Sequence, residues 1–345
     1  MCRRRSRGKL PSRAGSFRAK RVPVDPGATV SHLPSEFELI DHFARAFRPP
    51  PPPEGPGDDC AVLAPGRGKL CVTTDAMVQD VHFRIPPFTL EDVGHKALAV
   101  NLSDLAAMGA SPRWFLCAIA MPRHFGAREV ARLARGMSAL ARRARIALAG
   151  GNFTSARDLS ITITCAGESA HPLLRSGGRP GDLLYVSGTL GDARLGLHPR
   201  APAPARRRQR RPEPRLRLGL LASRFAGAAI DLSDGLAQDL RHLCRASGVG
   251  AEIHVDRLPR SAATEDMALA GGEDYELLLA IRPSRRAAFE RACARAGERV
   301  TRIGRLGGDG LRFLRGTHPI PPPPGFDHFR REVHSKAGKR ARPRI

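Results

Sequence analysis

The chain has 345 residues, enough for two domains with separate cores, and its 41% hydrophobic content excludes a wholly disordered polymer. No apolar run has the length of a bilayer span, and the Arg-rich N-terminus has no apolar segment behind its charges, so neither a membrane protein nor a secretory signal is expected. Lys and Arg outnumber Asp and Glu by 57 to 33, a net charge of +24. Much of that charge sits in residues 1–21, in RAPAPARRRQRRPEPRLR (200–217) and in the C-terminal tail. A nucleic-acid binder stays open on charge alone, but one Trp and two Tyr give no signature of interleaved aromatics, so nucleic acid is not the expected partner. The seven cysteines form no CxxC pair, and they read as reduced thiols of a cytoplasmic protein.

In chain order, residues 1–31 read as a disordered basic tail. SEFELIDHFARAF (35–47) has helical spacing, with Ser35 as N-cap, and RPPPPPEGPG then breaks the pattern. KLCVTTDAMV (69–78) predicts a strand. A helix is expected over 90–109, ending at Gly109, then a strand over 113–122 stopped by proline and a helix over 127–146 with a basic outer face. ALAGGNFT (147–154) reads as entry into a loop, and LSITITCAGE (159–168) as an alternating strand. Residues 181–192 predict strand and turn. After the basic connection at 200–217, residues 228–248 predict strand, turn and helix; AEIHVDRLP predicts a strand; 270–281 a loop into a strand; 284–297 a helix. The end, VTRIGRLGGDGLRFL, predicts a hairpin with GGDG at its turn, and residues 330–345 a second basic tail. The boundary between two α/β domains is placed near 175, giving 32–175 and 176–329.

The chemistry lies in a series of acids at strand ends or on otherwise apolar elements, where an unpaired carboxylate is costly. Asp59 is in GDDCAVL, Asp75 ends CVTTD, Asp104 lies in KALAVNLSDLAAMG, Asp231 and Asp234 flank Ser233 in IDLSDGL, and Glu273 precedes Asp274 in GGEDYEL. Acids repeated beside Gly, Ser or Thr suggest a shared partner, and hard divalent cations such as Mg²⁺ have the matching chemistry. Asn101, three residues before Asp104 on the expected helix, shares its face. Only one of the adjacent Asp58 and Asp59 can easily face a metal. No GxxxxGK[ST] sequence is present, so a P-loop is excluded.

GDDCAVL, TTDAMVQDVHF, KALAVNLSDLAAMGASPRW, GGN, RSGGRPGDLLYVSGTLGD, IDLSDGL, GGEDYEL and a terminal GFDHF occur in this order. Over residues 35–329 the series resembles the thiamine-monophosphate kinases, whose wider family includes aminoimidazole ribonucleotide synthetase, selenophosphate synthetase and a hydrogenase maturation protein. The resemblance implies a two-domain α/β fold in which N-terminal sheets pair across a homodimer and nucleotide binds near that interface. It implies ATP as co-substrate, thiamine monophosphate as acceptor and several Mg²⁺ ions. It assigns Mg²⁺ to Asp59, Thr73, Thr74, Asp75, Asp104, Asn152, Asp231 and Asp234. ATP falls to Gly151, Asn152, Arg175 and Ser233, and thiamine monophosphate to His82, Glu273 and Phe326. Asn152 stands where many members carry Asp, and Ala134 where some carry Tyr near the nucleotide. The 200–217 connection is shorter and more basic than usual for the family. A related synthetase of the same fold is the alternative reading.

Overall fold

The computed structural model describes residues 36–49, 63 and 66–321. Asp58, Asp59, Phe326 and both basic tails lie outside the described residues. The N-terminal half consists of α1 (Glu36–Arg45), β1 (Lys69–Val78), α2 (Leu90–Ala107), β2 (Ser111–Met121), α3 (Ala127–Ala144), β3 (Ala147–Ser155) and β4 (Ser160–Ser169). Its sheet has the order β1-β4-β2-β3, with β4 antiparallel to both neighbours and β3 parallel to β2. Strand alternation turns Cys71 and Met77 inward, against Leu39, Leu98 and Met137 in one core with α1, α2 and α3. On the opposite face Leu70, Val72 and Leu116 are exposed.

Residues 147–154, expected as a loop, form β3. Two glycines hid the strand, yet one of them, Gly151, is what permits it. The β2/β3 register shifts at Phe115/Leu116, and a Cβ on Gly151 would stand 2.2 Å from the Cys117 carbonyl oxygen.

The C-terminal half opens with a 3-10 turn at Arg175–Gly177. It continues through β5 (Leu183–Ser187), α4 (Asp192–Gly196), α5 (Ala203–Arg210), α6 (Leu216–Ala222), β6 (Ala226–Asp231) and α7 (Leu236–Ser247). Then follow β7 (Ala251–His254), α8 (Glu265–Ala270), β8 (Leu277–Ile281), α9 (Arg286–Ala296), β9 (Val300–Leu306), β10 (Leu311–Arg315) and β11 (His318–Ile320). The seven strands take the order β11-β10-β7-β9-β5-β8-β6. The expected terminal hairpin does not form: β7 lies between β9 and β10, antiparallel to the first and parallel to the second. The GGDG segment spans β7 and bonds to its start, with Gly250 N–H donating to Gly308 O at 2.9 Å and Gly307 N–H donating to Gly250 O at 2.8 Å. The basic connection is helical, as α5 and α6, because Ala205, Gln209 and Leu218 bury against the body while Arg208 and Arg215 turn inward to pair with the buried Glu276.

α2 joins the halves. Its start is fixed by a capping box between Thr89 and Asp92, and residues are buried all round it. Leu98, Leu102 and Leu105 serve the N-terminal core, while Ala106 and Ala107 pack with Leu218, Ala229 and Leu277 of the C-terminal half. Among the described residues no helix is long and apolar enough to cross a membrane.

Candidate active site

Asp75 and Asp104 come from the first sheet and the helix beneath it; Asp231 comes from the second sheet. Asp75 is on the same face of β1 as Thr73, whose hydroxyl donates to Asp104 Oδ2 at 2.5 Å. One residue earlier on α2, Ser103 donates to Asp231 Oδ2 at 2.7 Å. Beyond β6 the chain turns through Leu232–Ser233–Asp234, and the 273–276 segment pairs with that turn. Glu273 N–H donates to Ser233 O at 2.7 Å, Tyr275 N–H to Leu232 O at 2.9 Å, and Leu232 N–H to Glu276 O at 2.8 Å. Asp234 N–H donates to Asp239 Oδ2 at 3.1 Å, so a further acid on α7 backs the turn.

These carboxylates shift one another. Burial, then the Asp75 charge, lifts Asp104 to about 6 against the opposing Thr73 bond and Arg175 charge. Burial and Asp104 raise Asp231 to about 7, opposed by Ser103 and Arg175. Burial, Asp231 and Asp234 raise Asp239 to about 8. Asp75 keeps solvent access, yet partial burial and the charges of Asp231 and Asp234 raise it too. Acids that resist ionisation because they are buried and, secondarily, because they face each other fit a cationic ligand. Among the described residues, however, no three His, Cys, Asp or Glu side chains already close around a single ion. The set suits Mg²⁺, which takes a few carboxylates, substrate phosphate oxygens and waters rather than an all-protein cage.

The other expected residues fall in different places. Arg175, exposed in the 3-10 turn, lies within electrostatic reach of Asp104, Asp231 and Asp239. Ser233 and Asp234 lie in the turn, half-buried. Glu273 accepts a bond from Lys96 Nζ at 2.6 Å. His82 follows β1, and its Nδ1 accepts from Val78 N–H at 3.1 Å. Thr74 is on the other face of β1 from Thr73, its hydroxyl donating to Ile163 O at 3.1 Å and 3.1 Å from the Thr164 hydroxyl. Gly151 and Asn152 are on β3, three strand spacings from β1, or roughly 14 Å. Asn152 precedes the core residue Phe153 and so lies on the outer face with Thr74. Within one chain the structure gathers Asp75, Asp104, Asp231, Asp234 and Arg175, with Glu273 over the turn; it does not bring Thr74, Gly151 or Asn152 to them. Asp59 and Phe326 lie outside the described residues.

Asn101 does not share the acid site through its amide. It is fully buried, its Nδ2 donates to Ala97 O at 3.1 Å, and its Oδ1 has no hydrogen-bond partner among the described residues. Sequence reasoning passed over Ser103, Lys96 and Asp239. Ser103 adjoins Asp104 and was within reach of inference; Lys96 sits in an apolar run, and Asp239 looks like a first-turn acid on a helix.

A family model described as AIR synthase related protein, N-terminal domain, matches residues 57–169, and its C-terminal domain counterpart matches 179–315. Thiamine-monophosphate kinase of Salmonella typhimurium is 39% identical over 300 residues, 80% of this chain and 91% of the relative. That of Bacillus subtilis is 35% identical over 293 residues, 78% of this chain and 90% of the relative. Among solved structures, thiamine-monophosphate kinase from Stenotrophomonas maltophilia K279a superposes with a TM-score of 0.73 at 37% identity, covering 80% of this chain and 95% of the other. AaThiL complexed with AMPPCP and TMP gives 0.69 at 31% identity, covering 85% and 97%. The E. coli hydrogenase maturation protein HypE, at 21% identity and a TM-score of 0.68, shares the fold. With the motifs, both sheets and these relatives in agreement, the chain belongs to the AIR synthase related family and, within it, to the thiamine-monophosphate kinases.

Proposed function

We propose that this chain transfers the γ-phosphoryl group of ATP to the phosphate of thiamine monophosphate, giving thiamine diphosphate and ADP. The observation that carries this reading is the convergence of Asp75, Asp104 and Asp231, from two sheets, on one place where each raises another's pKa. The solved AaThiL complex with AMPPCP and TMP supports the choice of substrates.

The acceptor dictates the protein's task. A phosphate monoester has a second pKa near 6 and is largely dianionic at pH 7, so the nucleophile arrives deprotonated and no general base is needed. The barrier is repulsion: one pair of unit charges 4 Å apart costs about 4 kcal/mol at an effective dielectric near 20. Bound Mg²⁺ would supply the countercharge and the alignment for in-line transfer. Asp75, Asp104, Asp231 and Asp234 would hold it, with Thr73 and Ser103 fixing the rotamers of Asp104 and Asp231. Asp59 is proposed to join them. Arg175 and Ser233 are assigned to the nucleotide; His82, Glu273 and Phe326 are assigned to thiamine monophosphate.

Thr74, Gly151 and Asn152 enter through a homodimer. The exposed Leu70, Val72 and Leu116 make an apolar sheet face that a second copy would cover, which would bring the partner subunit's copy of the β3 edge toward the acids. The cytoplasm is the proposed setting, in keeping with free buried Cys71, Cys117, Cys165, Cys244 and Cys293.

Purified protein given Mg²⁺, ATP and thiamine monophosphate should form ADP and thiamine diphosphate. Asp104→Asn should lose this activity while keeping the wild-type circular dichroism spectrum. No product from the wild type ends the proposal.

A further inference from the structure

Lys96 has no exposed surface, although it is a lysine. Taking an ammonium out of water costs several kcal/mol unless it is well paired. A Met of similar length would fill the same space without that cost. Its described partners are few and directed. Nζ donates to Glu273 Oε1 at 2.6 Å and lies 5.5 Å from the centroid of the Phe88 ring. Glu273 is held differently. Its side chain keeps 29% exposure, its backbone adopts φ +68°, a left-handed conformation unfavourable for a residue with a Cβ, and its N–H is tied to Ser233 O. The carboxylate is thus anchored through one oxygen and remains open to a ligand.

The anchor comes from the helix that also positions the acids. Lys96 and Ser103 are seven residues apart on α2, two turns along one face, a rise of about 10 Å. Ser103 grips Asp231 and Lys96 grips Glu273. One rigid element therefore sets the spacing between the aspartates and Glu273.

We infer that Lys96 is a positioning residue for the phosphoryl acceptor. It occupies one oxygen of Glu273 and holds the other toward a cationic, amine-bearing organic group carried by the substrate. It also keeps Glu273 from swinging toward the aspartates and acting as one more metal ligand. This rests on the assignment of Glu273 to thiamine monophosphate made above.

The test is steady-state kinetics on the full chain, with each substrate varied at saturating levels of the other. Lys96→Met should raise KM for thiamine monophosphate about tenfold, the scale of losing one charge-assisted hydrogen bond, and leave KM for ATP within about twofold. In a Glu273→Gln background the same change should add little, because the bridge is already broken. Lys96→Gln, which keeps a donor, replaces Lys96→Met if that variant does not fold. Equal increases in both KM values would assign Lys96 a structural role only and overturn the inference; so would an unchanged KM for thiamine monophosphate, or full additivity with Glu273→Gln. A wild type without turnover would instead remove the proposed function. An active wild type whose Lys96 variants behave normally would remove this inference alone.

Discussion

Asp274, next to Glu273, shows how burial controls a single carboxyl group. It is 3% exposed and accepts from Gly191 N–H at 2.6 Å and Ala193 N–H at 3.1 Å. Burial nevertheless lifts its pKa from an ordinary 3.8 to about 7; the two N–H bonds and Arg208 oppose the shift, and Glu276 adds to it. The folded protein therefore keeps this proton at pH values where the unfolded chain has lost it. A raised carboxyl pKa makes a contribution that is whole below about pH 4 and is lost as the pH rises to about 7. Asp274→Asn cannot titrate. The difference in unfolding free energy, wild type minus variant, should fall over that window and level off above it, as measured by urea denaturation at several pH values. Asp75, Asp104 and Asp231 were legible as a set because each interrupts an apolar segment beside a small or hydroxyl residue. Lys96 was not, because nothing local distinguishes a buried lysine in KALAV from one that reaches solvent; its partner is 177 residues away.

At the level of elements, α2 and α3 meet so closely that the backbones touch through glycine. A Cβ on Gly136 would stand 1.9 Å from the Glu91 carbonyl oxygen. Gly136→Ala should destabilise the protein by about 1–3 kcal/mol, as overpacking does, even though alanine is the better helix former. A loss of urea midpoint would show it; a gain would mean that the helices can separate at little cost. The strands over 69–78, 113–122 and 159–168 were readable, the last from its alternation, as were α1 from its helical spacing, α2 with its stop at Gly109 and α3 with its basic outer face. β3 was not, because paired glycines signal a turn until a neighbouring strand is known. The terminal hairpin failed for a related reason. GGDG marks a reversal of the chain, but nothing nearby in sequence shows that β7 will take the place between β9 and β10.

On the scale of the whole molecule, the outer face of the first sheet is the surface on which the proposed homodimer can be tested. Leu70 and Val72 are 57% and 56% exposed, and Leu116 is 40% exposed. If the proposed homodimer forms, Val72→Asp and Leu116→Asp together should convert it into monomers by light scattering, with a parallel loss of kinase activity. Active monomers would place the whole catalytic set within one chain and defeat the proposed role of the partner. The family's two-domain plan was legible from the ordered motifs. The separation of Asn152 from Asp75 was not, because strand order across a sheet is a long-range property.

α2 belongs to both cores at once. Leu98 and Leu102 seal one, Ala106 closes the other, Ser103 clasps Asp231 at the end of β6, and Lys96 clasps Glu273. Neither half can melt without stripping partners from this shared segment. Heating should therefore give one cooperative transition, its calorimetric enthalpy equal to the van 't Hoff value, instead of two steps.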